Sequence, residues 1–304
     1  MRKIEKIFVV LEAQQEEQPA LIRAAYIAEA TGASLHLFMC AYDTAIGIAS
    51  FLSGKQKSTF VQTIVDGSRV MAKRLSDPLQ EKGIDVTTET VWDRHHSDAI
   101  IKATREGEYD LLMKYARHRT RADVMFNHID WKLMRYSPCP VMLVKTGQWD
   151  DVGQVLAAID AAPESTLHDS LNKAILERAS YLAEQLDFDL HLVSAYPAPP
   201  VFVPLSKASE SLDNYRSKMS RMVETNLNKL GEEYGVIAEH QHAIEGPVDW
   251  AIPKVSKDLV AEFVVMGNVS RESLTGLSIG NTAESILDQL NTNVLMVRVS
   301  ESPG

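Results

Sequence analysis

The residues of this chain whose types and spacing could do chemistry are few, and most fall in one stretch, VVMGNVSRESLTGLSIGNTAESIL, from Val264 to Leu287. Gly267 and Gly280 bracket it, and Asn281 with Glu284 has the pattern of a capping box opening a helix. Backbone N–H groups at such a helix start, unhindered by a Cβ at Gly280, form a cradle for phosphate. Within the stretch, Gly276 to Gly280 read GLSIG, the G-x-S-x-G spacing of a hydrolase nucleophile elbow around Ser278. That elbow needs a strand directly ahead of the serine. The strand here is expected to end near Gly267, so no catalytic residue is assigned.

Histidines pair as His95-His96 ahead of a helix and as His240-x-His242 on one face of an expected strand. A metal site needs three or four ligands; neither pair has a third nearby in sequence, and no metal site is assigned. The carboxylates Glu232-Glu233 and Asp150-Asp151 read as a solvated helix end and a linker. Cys40 and Cys139 read as buried free thiols in different halves of the chain. A net charge of −10 repels phosphate backbones, and the one basic segment, Lys114 to Arg121, reads as a solvated loop, so nucleic acid is not the expected partner. No apolar run reaches membrane-spanning length, and the run after MRKIEK is too short for a signal-peptide core. A cytoplasmic protein with no membrane partner is expected.

These residues need a frame, and the frame is duplicated. Tyr26 to Leu37 (YIAEATGASLHL) and Tyr181 to Leu192 (YLAEQLDFDLHL) align without a gap, with six of twelve positions identical. IFVVLE (7–12) pairs with VLAAID (155–160), and PVMLVK (140–145) with NVLMVR (293–298). The polar joint Thr146 to Gly153 divides the 304 residues into expected domains 1–147 and 152–304. Each half alternates short apolar β-rich runs with helical patterns, the signature of βαβ units on a parallel sheet. In the second half the spacing predicts strands at 155–159, 190–195, 236–242, 262–266 and 294–298. The first helix between them carries Leu167, Leu171, Ile175, Leu182 and Leu186 as an apolar stripe. Two further segments, 43–53 (DTAIGIASFLS) and 197–205 (PAPPVFVPL), are apolar where a polar connection is the rule. They either cover a sheet edge or the seam between halves, or form an apolar ligand or partner surface.

In this setting the sequence resembles the universal stress protein family. Its nucleotide-binding members carry Gly, two residues, Gly, nine residues, then Gly followed by Ser or Thr. The matching positions here are Gly267, Ser270, Gly280 and Asn281, with Thr282 next: the spacing is kept, two of the four residue types are not. Asp160 and Met266 match further positions that contact the nucleotide in those members. A serine at 270 adds a Cβ where glycine lets phosphate come close. The first half aligns with Lys114, Arg117, Asn127 and His128 at the motif positions and Glu12 in place of Asp160, with no glycine kept. The GNTAE string and the tandem arrangement point to the tandem-domain subgroup E of the family.

The resemblance implies an α/β fold of two tandem doubly wound domains, each a five-stranded parallel sheet in the order 3-2-1-4-5 (the adenine nucleotide alpha hydrolase-like arrangement), related by a pseudo-twofold through their last strands. It implies a non-enzymatic stress-response protein with no required cofactor, taking ATP or a related small ligand at Asp160, Met266, Gly267, Ser270, Gly280, Asn281 and Thr282. The alternative is a nucleotide-free interaction module for a protein partner or an apolar ligand. A homodimer is left open.

Overall fold

The computed structural model describes residues 3–13, 15–49, 52–116, 128–145, 152–162, 165–199, 209–273, 276–278 and 281–300. The chain divides into two compact units, Lys3–Gln148 and Trp149–Gly304. In the first, β1 (Lys6–Leu11), β2 (Ser34–Ala41), β3 (Val86–Trp92), β4 (Leu111–Tyr115) and β5 (Val141–Val144) form a parallel sheet in the order β3-β2-β1-β4-β5. Helices α1 (Pro19–Thr31), α2 (Thr44–Ile48), α3 (Gly54–Glu81), α4 (His96–Gly107) and α5 (His128–Tyr136) connect them. Only the first residue of β1, KIFVVL, is exposed, as in a strand covered on both faces.

The second unit repeats the plan. Its strands β6 (Gln154–Ala158), β7 (Asp189–Tyr196), β8 (Gln241–Glu245), β9 (Phe263–Ser273) and β11 (Asn293–Ser300) run parallel in the order β8-β7-β6-β9-β11, and β10 (Gly276–Ser278) folds back antiparallel on β9. Helices α6 (Thr166–Leu186), α7 (Ser209–Tyr234), α8 (Val248–Asp258) and α9 (Asn281–Gln289) cover it. Both units are therefore doubly wound α/β domains with the expected strand order. Among the described residues no helix is long and apolar enough to cross a membrane.

The repeat reaches down to single backbone angles. Gly32 ends α1 at φ +74, and at the same repeat position Asp187 ends α6 at φ +56. Aspartate is one of the few non-glycine residues that visits this left-handed region. Four of the five predicted second-half strands lie within two residues of their expected starts. The third is displaced, because Gly235 turns left-handed after α7 and the Val236 amide caps the helix on the Gly231 carbonyl at 2.8 Å. A 3₁₀ turn, Ala238–His240, follows before β8 begins. The fourth strand also departs: the expected loop after Gly267 is a continuation of β9, paired with β11 as far as Ser270 opposite Ser300 and then with β10.

At the β8 edge three imidazoles gather where the sequence offered a pair. His191 on β7 stacks on His240 with ring centroids 3.9 Å apart, and its Nδ1 lies 3.1 Å from His242 Nε2. His191 Nε2 lies 2.6 Å from Gln154 Oε1. The amide oxygen only accepts, so His191 donates through Nε2 and accepts at Nδ1 from His242. Gln154 passes the chain on by donating through Nε2 to Asp189 Oδ2 at 3.3 Å. Burial, reinforced by His240 and His242 and only partly offset by Asp189, pushes the His191 pKa down to about 4. His242 is lowered by burial and by His240.

Neutral in the fold and titrating near 6.5 when unfolded, His191 contributes stability above that value which is lost as pH falls toward 4. Lowering the pH from 7 to 5 should cost the second domain about 1–2 kcal/mol. Hydrogen exchange of β7 and β8 amides at the two pH values measures this, and His191→Phe should flatten the dependence.

Candidate functional site

In each sheet the strand order reverses beside the first strand, which opens a crevice at the carboxyl ends of the strands where ligands of α/β proteins bind. In the first domain the crevice lies between β1 and β4 and is filled by charge. Lys114 of β4 is only 4% exposed. Its Nζ lies 3.0 Å from Asp130 Oδ1, on α5, and 3.3 Å from Glu12 Oε1, just past β1, and donates to the Tyr115 carbonyl at 2.8 Å. Burial alone would lower the lysine pKa; Asp130 and Glu12 outweigh it and raise it. Lys114 is thus a fixed cation and not a nucleophile. Gln18 locks the backbone of Glu12, accepting from its N–H at 3.0 Å and donating to its carbonyl at 2.8 Å.

Strand register corrects one sequence alignment here. Ile7 pairs with Leu111 in the first domain, as Val155 pairs with Phe263 in the second. Lys114 therefore occupies the place of Met266, and Tyr115 that of Gly267. The triad Glu12, Lys114 and Asp130 becomes Asp160, Met266 and Ala283 in the second domain. Met266 is 3% and Ala283 9% exposed, so the buried ion pair is replaced by two apolar side chains and Asp160 is left without a lysine.

Asp160 sits just past β6 and is exposed. Asn172 of α6 takes over the role of Gln18: its Oδ1 accepts from the Asp160 N–H at 3.0 Å and its Nδ2 donates to the Asp160 carbonyl at 2.6 Å. Asp160 Oδ1 accepts from the Ala162 N–H at 2.9 Å. Ser194 Oγ accepts from the Ala161 N–H at 3.0 Å, and Asn226 of α7 donates to the Ala161 carbonyl at 2.6 Å. Two residues of the expected site adjoin it on β9. Gly267 packs against α6 so closely that a Cβ there would lie 2.6 Å from two Leu171 side-chain carbons.

The other site residues are placed less compactly. Ser270 lies three residues farther along β9, about 10 Å from Gly267 at strand rise, and pairs with β11. Asn281 opens α9, and Thr282 after it is exposed. Gly280 lies outside the described residues, as do Arg117 and Asn127 of the first-half motif; His128 opens α5.

The universal stress protein family matches residues 3–145 and again 153–298. The chain belongs to that family. Along nearly all of its length this tandem universal stress protein is similar to the universal stress protein E homolog of Haemophilus influenzae, with 29% identity over 305 residues, covering 98% of this chain and 99% of that one. Universal stress protein E of Escherichia coli K12 is 28% identical over 300 residues, covering 98% and 95%. Among solved structures, a functionally unknown protein of Pseudomonas aeruginosa PAO1 matches with TM-score 0.74 and 30% identity over 97% of this chain and 92% of that one.

Sequence reasoning identified Asp160 but missed the residues that hold it: Asn172, Ser194, Asn226, and their first-half counterpart Gln18. One signal was available. From the end of the first strand to the repeated tyrosine, the second half of this universal stress protein is seven residues longer than the first. The structure spends that length on α6, which has 21 residues against 13 in α1. The added turns carry His168, Leu171 and Asn172.

The two crevices predict opposite responses to the same exchange. Lys114→Met leaves buried Asp130 facing Glu12 without their lysine, which should cost the first domain about 3–5 kcal/mol. Lys114→Met/Asp130→Ala installs the second-domain pair and should recover more than half of that loss. Urea unfolding of both variants, followed by the fluorescence of Trp92 and Trp131, measures the difference.

Proposed function

We propose that this chain is a non-enzymatic, cytoplasmic stress-response binding protein whose second domain takes one ATP or related nucleotide per chain, while its first domain takes none. The observation that carries this reading is the contrast between the crevices: Lys114 fills the first with its own charge, whereas the second offers a fixed, exposed Asp160 beside Met266 and Gly267. Asp160 meets the base or ribose side of the ligand. The start of α9, with Asn281 and Thr282, provides amide donors for phosphate. Among the described residues no cluster of His, Cys, Asp or Glu could hold a metal ion, and in this reading the ligand is held and not turned over. The bound state acts by changing the surface presented to a protein partner.

A second reading, a nucleotide-free interaction module, is favoured by one observation. β9 runs on through Ser270 as a strand paired with β11, and not as a loop with its amides turned to a ligand. In that case the apolar segments 43–53 and 197–205 are the binding surfaces; Ile48 in the first of them is 73% exposed, and residues 200–205 of the second lie outside the described residues.

Native mass spectrometry of protein purified without added nucleotide, followed by calorimetric titration with ATP and Mg²⁺, decides between them. The nucleotide reading expects one ligand per chain, at least tenfold weaker binding in Asp160→Ala, and unchanged stoichiometry in Lys114→Met/Asp130→Ala. No bound nucleotide and no heat would leave the interaction module standing.

A further inference from the structure

The sheet of the first domain ends on β3, and among the described residues only β2 pairs with it. In a strand the N–H and C=O groups of successive residues address opposite neighbours. The Asp85 carbonyl accepts from the Leu35 N–H at 2.8 Å, so the odd-numbered residues face β2; the Val86 carbonyl faces outward and accepts from the Gln80 side-chain amide at 2.8 Å. The N–H and C=O groups of Thr88 and Thr90 therefore point out of the sheet edge, where no strand meets them among the described residues. Native proteins blunt such edges with proline, bulges or charge. β3, VTTETVW, has neither of the first two: its register with β2 is unbroken from Val86 to Trp92. Its one charged residue, Glu89, is turned to the other face of the sheet, where it meets His36 at 3.2 Å.

A groove of about 400 Å³ runs between this edge and α3, lined by Thr88 and Thr90 of β3 and by Arg69, Lys73, Ser76 and Asp77 of α3 among others. Charge follows a fixed order along the helix, with Arg69 and Lys73 first and Asp77 and the exposed Glu81 after them. Lys73 Nζ lies 2.7 Å from Asp77 Oδ1, and both side chains are largely exposed. α3 returns into β3 through residues 82–85, so helix and strand run antiparallel. From Val86, held by Gln80, the strand reaches Thr88 in about 6.6 Å, which a helix covers in about four residues. That places residues 75 and 76 of α3 beside Thr88.

We propose that the outer edge of β3 pairs antiparallel with β3 of a second copy of this chain about a twofold axis at Thr88, and that Lys73 and Asp77 of the two copies close the seam as a ring of four alternating charges. In that register Thr88 meets the partner's Thr88 and Val86 meets the partner's Thr90, and each outward-facing pair exchanges two backbone hydrogen bonds. The two α3 helices then lie antiparallel on one face of the joined sheet. Their centre at residues 75 and 76 sets Lys73 against the partner's Asp77 and Arg69 against the partner's Glu81. Strand and helix thus agree on one axis, and neighbouring registers lose the match. One residue further along β3, Glu89 would face the partner's Glu89; two residues further, Lys73 would face the partner's Arg69, and like charges so placed repel. The corresponding edge strand of the second domain, β8, is shorter, with five residues against seven, and its last residue Glu245 is paired with Arg216 of α7 at 3.3 Å.

Sedimentation velocity of the full chain from about 1 to about 100 μM tests the pairing. The wild type should pass from 33.8 kDa toward twice that mass over this range. Lys73→Glu and Asp77→Lys each turn the ring into four like charges, and each should weaken the dimer about tenfold or more. Both positions are exposed, so the fold is kept. Mixed in equal amounts, the two variants should form a heterodimer, and Lys73→Glu/Asp77→Lys, which reverses the ring, should dimerise as the wild type does. Hydrogen exchange locates the contact: the Thr88 and Thr90 amides should gain protection as the concentration rises. A wild type that stays at 33.8 kDa, a dimer that neither charge reversal weakens, or Thr88 and Thr90 amides that stay open overturns the proposal.

Discussion

Lys114 carries a full positive charge into the interior of the first sheet, where the protein medium screens far less than water and an unpaired ammonium would not stay ionised. Asp130 and Glu12 answer that demand from opposite sides of the switch point. Once they do, the crevice is spoken for. A ligand entering between β1 and β4 would have to break a buried ion pair, leaving a carboxylate and an ammonium each without its partner. Breaking such a pair is strongly unfavourable even where the intact pair adds little to stability. Closure of the first crevice therefore follows from charge and burial, with no need for a steric lid.

The second domain solves the same geometric problem with apolar groups. Met266 and Ala283 fill the space of the lysine and the inner aspartate, and the freed carboxylate faces outward. Packing then makes its own demand. Leu171, on the extra length of α6, lies directly over Gly267, and only a residue without a Cβ lets the helix come that close. The glycine thus has a packing reason to be glycine here, which is helix-on-strand approach. Gln18 and Asn172 show the same economy. Different residues, at places that do not align in sequence, make the same pair of hydrogen bonds to the backbone just past the first strand.

Much of the frame was legible because parallel strands buried on both faces leave a plain mark: KIFVVL, SLHLFMCA and their counterparts are apolar runs bounded by turns, and duplication doubles the evidence. What was not legible depended on competition between backbone partners. Val236 and Ile237 read as strand residues, but the helix end ahead of them claims the Val236 amide, and Ile237 is 56% exposed. Residues 268–270 read as loop, yet β11 offers a full set of parallel partners and β9 continues along it. The site suffered most. Aligning Met113-Lys114 with Met266-Gly267 is natural by residue type, and only the strand register shows that the lysine replaces the methionine. The longer spacing ahead of Tyr181 was visible; that it would become helix carrying His168 and Asn172 was not.

The sheet edges diverge by the same logic as the crevices. His36 and His191 occupy one repeat position, and both are pushed toward the neutral form, chiefly by burial. The first is surrounded by acceptors and rings, with Thr87 Oγ1 at 2.8 Å, Glu89 Oε2 at 3.2 Å, and Phe8 and Tyr109 in contact. Glu89 opposes the effect of burial, so a proton taken up by His36 would meet a carboxylate. The second lies beside two more imidazoles, and a proton taken up there is opposed by His240 and His242 and only partly favoured by Asp189. One duplicated histidine is therefore pushed toward neutrality in two ways: the effect of burial is partly offset where a glutamate faces it and reinforced where histidines do. Acid works against both domains, and in the second it falls on the strand that carries His191. A fall in pH that loosens β7 would act on Ser194, which holds the Asp160 turn through Ala161, and so on Asp160 itself.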